Sequence, residues 1–120
     1  MTLPTPVLVH LCGVQQWSRA RRDGAIRPPS SDPAFIHLSA PAQVHLPANR
    51  LYRGRNDLVL LHVDPAALTA EVRWEPGVPT DPEAMLFPHL YGELPVDAVT
   101  RVTAYLPDAD GFFAPLPSAG

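Results

Sequence analysis

The segment "DLVLLHVD", residues 57–64, constrains this chain more than any other. Leu58, Leu60 and His62 alternate with Val59, Leu61 and Val63. Successive side chains of a strand point to opposite faces, so both faces here are largely apolar and both ask to be covered. Other stretches alternate too. "PVLVHLC", residues 6–12, sets Val7, Val9 and Leu11 against Leu8, His10 and Cys12. "AFIHL", residues 34–38, sets Ile36 and Leu38 against Phe35 and His37, with Ser39 following on the histidine side. "EVRWE", residues 71–75, reads as a short strand. "VTRVTAYL", residues 99–106, reads as the last one, with Val102 and Ala104 opposed to Arg101, Thr103 and Tyr105.

Helical signals sit mainly in the first half. "VQQWSRARRDG", residues 14–24, predicts a helix with Val14, Trp17 and Ala20 or Arg21 on one stripe and Gly24 as its stop. Ser39 suits an N-cap and Pro41 a first turn, so a helix is expected to start at Ser39. Pro47 is expected to end or break it, with "ANRLYRGR", residues 48–55, as a second piece closed by Gly54. Asp64 opens a single turn in "DPAAL", and Asp97 caps another in "VDAV". "RPPSSDP" (27–33) and "PGVPTDPEA" (76–84) are loops stiffened by proline. Pro88 makes "MLFPHLYGEL", residues 85–94, an edge, a bend or a loop rather than a central strand. Phe112 and Phe113 are expected to pin the tail, residues 107–120. The expectation is one α+β domain over 1–120, with its core in about 6–106. It has roughly five to seven short strands and two helices concentrated in the N-terminal half.

Composition excludes several classes. No run of 18 apolar residues occurs, so no membrane span is expected. "MTLPTPVLVHLC" has no basic segment before its apolar run and reads as a strand, not a signal peptide. A single cysteine, Cys12, points to a reducing cytoplasm and to a small buried apolar role. All nine basic residues are arginine, and they are unevenly spread. Residues 1–55 carry seven Arg against Asp23 and Asp32, while residues 56–120 carry two Arg against ten acids. The net charge of −3 makes general nucleic-acid binding poor. A local arginine pair can still grip one phosphate or pyrophosphate through bidentate hydrogen bonds. Arg50 and Arg53 are the candidates, whereas Arg19, Arg21 and Arg22 read as a solvated helix face.

Three histidines stand where a cleft would use them. His10 is mid-strand, His37 ends a strand just before Ser39, and His89 precedes Tyr91 in "FPHLYG". No two histidines have metal-site spacing and no cysteine set accompanies them, so no metal is predicted. Neither phosphate-binding glycine motif occurs. No carboxylate lies beside these histidines in sequence.

The stretches "VHLCGVQQW", "GAIRPPS", "FIHLSAPAQV", "ANRLYRGRNDLVLLHVDPAAL", "VRWE" and "FPHLYGELPVDAV" occur in order over about residues 6–106. Together they resemble the bacterial domain-of-unknown-function family 952. The resemblance implies an ADP-ribosyltransferase-like fold, with small antiparallel sheets packed at an angle around an NAD cleft. "LVHL" followed by "FIHLS" also resembles, more weakly, the paired motifs of RNA 2′-phosphotransferases. By that likeness His10 and His37 are the catalytic candidates. Ser39, Arg50, Tyr52, Arg53, His89 and Tyr91 are the ligand-binding ones. NAD is then a substrate, and an RNA phosphate end a second possible partner. The chain departs from the transferase pattern in its last strand, "VTRVTAYL", which has no glutamate. Glu75 of "RWE" is the better carboxylate candidate, ahead of Glu93.

Three readings follow from the residues. The chain is a nucleotide-using transferase, or a non-catalytic module that binds a small anionic metabolite, or an interaction protein whose histidines serve the core. Whether His10, His37 and His89 share one pocket with Arg50 or Arg53 separates them.

Overall fold

The apolar segment 57–64 forms a central strand covered on both faces. The computed structural model describes residues 7–30, 34–76 and 85–116. Strand β4 (Leu58–Val63) lies between β1 (Leu8–Gly13) and β8 (Val99–Ala104), antiparallel to both. Val59, Leu61 and Val63 face one apolar cluster together with Leu8 and Cys12 of β1. Leu58 and Leu60 face a second, where Val9, Val44, Ala48, Tyr105 and Phe113 meet them. Period-two alternation thus feeds two cores from one strand.

Helix α1 (Val14–Asp23) follows β1 directly and ends at Gly24, whose φ of 90° needs a residue without Cβ. The Gly24 N–H donates to the Ala20 carbonyl at 2.7 Å, and Arg21 and Arg22 suit the last turn. Ala20 is buried and Trp17 packs on the first cluster, but Val14 is exposed, so the buried stripe is narrower than expected. Two-residue strands β2 (Ala25–Ile26) and β7 (Leu94–Pro95) pair with each other. They are too short to register as periodicity.

The third sheet has the order β3 (Ile36–His37), β6 (Leu86–Leu90), β5 (Val72–Pro76). Here the reading of 85–94 as an edge or bend is corrected: β6 is the central strand, with Pro88 in its middle. The register places Leu38 opposite Pro88, and the Leu38 N–H donates to the Pro88 carbonyl at 3.0 Å. The missing proline N–H therefore faces the side where β3 runs out. One ladder bond is forgone and the β5 side is untouched.

The expected helix start at Ser39 is also corrected. The Ser39 backbone exchanges two 2.8 Å hydrogen bonds with Val9, forming an isolated bridge to β1. Those bonds hold Ser39 extended and use its backbone for pairing rather than for opening a helix. Residues 41–44 make turns, and α2 (His45–Leu51) begins with Pro47 inside its first turn. No intrahelical donor is needed there, so Pro47 does not break the helix.

Asp64 caps a single 3₁₀ turn at Pro65–Ala67 through the Ala66 N–H, as its position predicts. In the tail, Phe113 is buried while Phe112 is 42% exposed, so Phe113 is the residue that packs into the core. The Tyr105 O–H donates to the Ala114 carbonyl at 2.7 Å and fixes the same segment. The expected loop over 77–84 lies outside the described residues. The architecture is α+β, with two helices in the first half and small antiparallel sheets.

Candidate functional site

The Val9–Ser39 bridge joins the β1 sheet to the β3 end of the third sheet, and a cleft of about 650 Å³ opens beside that junction. That size is within the range of ligand pockets. His10 and Leu11 come from β1, Phe35 to Ser39 from β3 and its flank, and Arg50, Leu51 and Tyr52 from α2 and its end. Arg27 and Phe87 complete much of the wall. The described lining residues include two arginines and two histidines but no aspartate or glutamate. Arg27 is paired with Glu93 at 3.1 Å, so an anion would share that guanidinium; the lining itself still suits an anion better than a cation.

His10 is a buried polar group of the cleft wall. Its Nδ1 lies 2.7 Å from the His37 carbonyl oxygen. A carbonyl only accepts, so Nδ1 carries the proton and Nε2 keeps a lone pair. Nε2 is buried and has no hydrogen-bond partner among the described residues. Burial pushes the His10 pKa down, the His37 carbonyl bond opposes that, and the His37 charge adds to it. The ring is held neutral at physiological pH.

Strand register builds the second part. His89 is opposite His37 on one side and Arg73 on the other, and Glu75 is opposite Phe87. These side chains therefore share one face of the β3-β6-β5 sheet, flanked by Phe35 and Tyr91. Ile36 and Leu90, on the other face, enter the core. Phe35 stacks on the His89 ring at 4.0 Å between centroids and 14° between planes. His37 meets the same ring edge-on at 5.0 Å and 79°. His89 Nδ1 donates to Glu75 Oε1 at 2.9 Å, and the Tyr91 O–H donates to that same oxygen. The Arg73 guanidinium lies 4.4 Å over the Tyr91 ring and pairs with Glu71.

These contacts set protonation. The Tyr91 hydrogen bond, then the His89 one, holds Glu75 below the usual carboxylate range. Sharing Glu75 pushes the Tyr91 phenol up. His37 is exposed on its outer side, yet desolvation, then His89, then Arg50 lower its pKa. Cys12 is buried and its thiol is pushed up to about 11, as an inert apolar residue requires.

His10, His37, Ser39, Arg50 and Tyr52 of the predicted set thus line one cleft. His89 and Tyr91 do not line it; they stand behind His37 on the sheet face. Arg53 is not brought in, because its guanidinium lies 3.9 Å over the Phe112 ring at the tail. Phe35, Arg27 and Phe87 are cleft residues that the sequence reading did not single out, though alternation with His37 put Phe35 on the right face. Glu75 had no neighbouring histidine in sequence, and only cross-strand register brings it to His89. Among the described residues no group of three or more His, Cys, Asp or Glu is arranged to hold a metal ion. No helix among them is long and apolar enough to cross a membrane.

Fold and site together define an α+β domain of small antiparallel sheets with a histidine- and arginine-lined cleft at a sheet junction. The chain belongs to the family described as Protein of unknown function (DUF952), whose sequence profile matches residues 11–102. It is similar to the crystal structure of protein CC0527 from Caulobacter crescentus. That likeness is at 33% identity, over 90% of this chain and 93% of that one, with a TM-score of 0.76. The crystal structure of a double-methionine variant of CC0527 from the same organism matches at 32% identity, over 90% of this chain and 93% of that one, with a TM-score of 0.76. The solution NMR structure of CC0527, again from Caulobacter crescentus, matches at 33% identity, over 88% of this chain and 90% of that one, with a TM-score of 0.72. No curated protein matches.

Proposed function

We propose that the cleft binds a small anionic molecule of nucleotide type, NAD being the first candidate, in a cytoplasmic protein of ADP-ribosyltransferase-like fold. The single observation that supports this most is the wall: Arg50, Arg27 (itself paired with Glu93), the imidazoles of His10 and His37, and the flat rings of Phe35 and Tyr52, with no aspartate or glutamate among the lining residues. Guanidinium groups take phosphate oxygens bidentately. Aromatic rings accept a flat base or nicotinamide by stacking. The buried lone pair of His10 Nε2 would gain a donor from a ribose hydroxyl or a carboxamide.

Binding, rather than transfer, is the conclusion. Ribosyl transfer develops positive charge on the sugar, which a nearby carboxylate stabilises. The residues lining the cleft include none; Glu93 is bound to the lining residue Arg27 at 3.1 Å, and Glu75 is committed to His89 and Tyr91. The test is calorimetric titration of the purified protein with NAD, ADP-ribose and RNA ending in a 2′-phosphate. Saturable heat with NAD or ADP-ribose that disappears in His37→Ala is the expected result. Binding of the RNA end alone would move the assignment to that ligand, and no heat with any of the three would overturn the reading.

A further inference from the structure

We propose that Glu75, His89 and His37 form a proton relay, in which Glu75 and His89 are positioning residues and His37 is the acid–base group presented to the cleft. Glu75 fixes the proton of His89 on Nδ1. That leaves His89 Nε2 as an acceptor, and this atom is buried with no hydrogen-bond partner among the described residues. A buried acceptor left empty is costly, and such costs concentrate where a partner arrives during function. The candidate is the His37 ring, in T-shaped contact with the His89 ring at 5.0 Å between centroids. Phe35 stacks on the flat face of His89, and the Nε2 atom itself is buried, so bulk water does not reach it.

When His37 takes a proton from a bound hydroxyl or amide, it turns an N–H toward His89 Nε2. A carboxylate-bound imidazole is the stronger acceptor, so Glu75 favours the charged His37 from two residues away. Charge balances without any co-reactant: the ligand loses one proton and His37 gains it. The groups facing His37 are His89 with Glu75 and Tyr91 behind it, Arg50 from α2, and His10 from β1. Arg50 and His10 do not change in the relay.

The inference rests on the cleft being a ligand site, but its test needs no ligand, so the two fail separately. Long-range proton–nitrogen NMR of the free protein reads the tautomer and titration of each imidazole. In the wild type, His89 is expected as the Nδ1–H tautomer, with its Nε2 shift moving as His37 titrates. Glu75→Gln is expected to lower the His37 midpoint by about half a pH unit or more. In a His89→Gln background the same substitution is expected to leave the His37 midpoint unchanged. A shift that persists without His89 would show direct action of the charge and overturn the relay. If His89→Gln does not fold, the wild-type spectrum decides alone: a His89 Nε2 shift indifferent to His37 titration contradicts the proposal.

Discussion

The imidazole of His10 donates from Nδ1 to the backbone carbonyl of His37, 27 residues away, at 2.7 Å. This bond and the adjoining Val9–Ser39 bridge tie two sheets together where the cleft opens. Removing the donor leaves a carbonyl without it in a part-buried setting. His10→Ala is expected to cost about 1–3 kcal/mol of stability. Urea unfolding measures it, and a loss well under that range would show that the bond does not hold the junction.

Stability should fall with acid before ordinary carboxylates titrate. Burial is the largest cause lowering His10, His37 and His62 from the ordinary value of 6.5. For a depressed histidine the unfolded chain binds the proton first, so folding stability declines as pH drops through about 6.5. It levels off below the folded-state midpoints. Glu75, also depressed, then removes stability as pH falls below the usual carboxylate range. Urea midpoints between pH 8 and pH 5 should decline in the wild type and decline less in His10→Gln.

Leu61 has no exposed surface and packs in the first cluster from the central strand. Leu61→Ala is expected to cost about 2–5 kcal/mol through lost burial and an unfilled cavity. A cost below about 1 kcal/mol would mean that β4 is not sandwiched as described.

A Cβ added at Gly92 would collide with the Cβ of Ala70. Gly92→Ala should therefore destabilise by about 1–3 kcal/mol, and Ala70→Gly in the same chain should restore much of the loss. Equal stability of wild type and Gly92→Ala would remove the steric reason for glycine in "FPHLYG".

Arg50 and Arg53, close in sequence, should separate in a titration with NAD. Arg50 lines the cleft, so Arg50→Ala should weaken binding by about 1.5–3 kcal/mol, the range of hydrogen bonds to charged groups. Arg53 lies over Phe112, so Arg53→Ala should leave the affinity unchanged.

What the sequence made legible was mostly period and punctuation. Strand β4 was readable because two apolar faces leave one kind of environment. Helix α1 was readable because Gly24 marks its stop. Strand β6 was misjudged because Pro88 forbids a ladder bond in general, and only pairing shows that its vacant side meets the end of β3. Ser39 was misjudged because its side chain fits a cap, while its backbone was claimed by Val9 from a distant strand. The cleft residues of β1, β3 and α2 were nameable because histidines and arginines are conspicuous. The Glu75–His89 contact was not, since register between β5 and β6 is a tertiary fact. Arg53 resembles Arg50 in sequence, but Arg50 lies in the last turn of α2 and Arg53 in the turn that follows it.

The most direct test of the binding cleft is a titration of isotope-labelled protein with NAD, followed by backbone amide NMR. The account predicts saturable shifts centred on Leu11, His37, Ser39, Arg50 and Tyr52, with little change at the tail turn around Asp108. Shifts absent throughout, or centred away from these five residues, would contradict it.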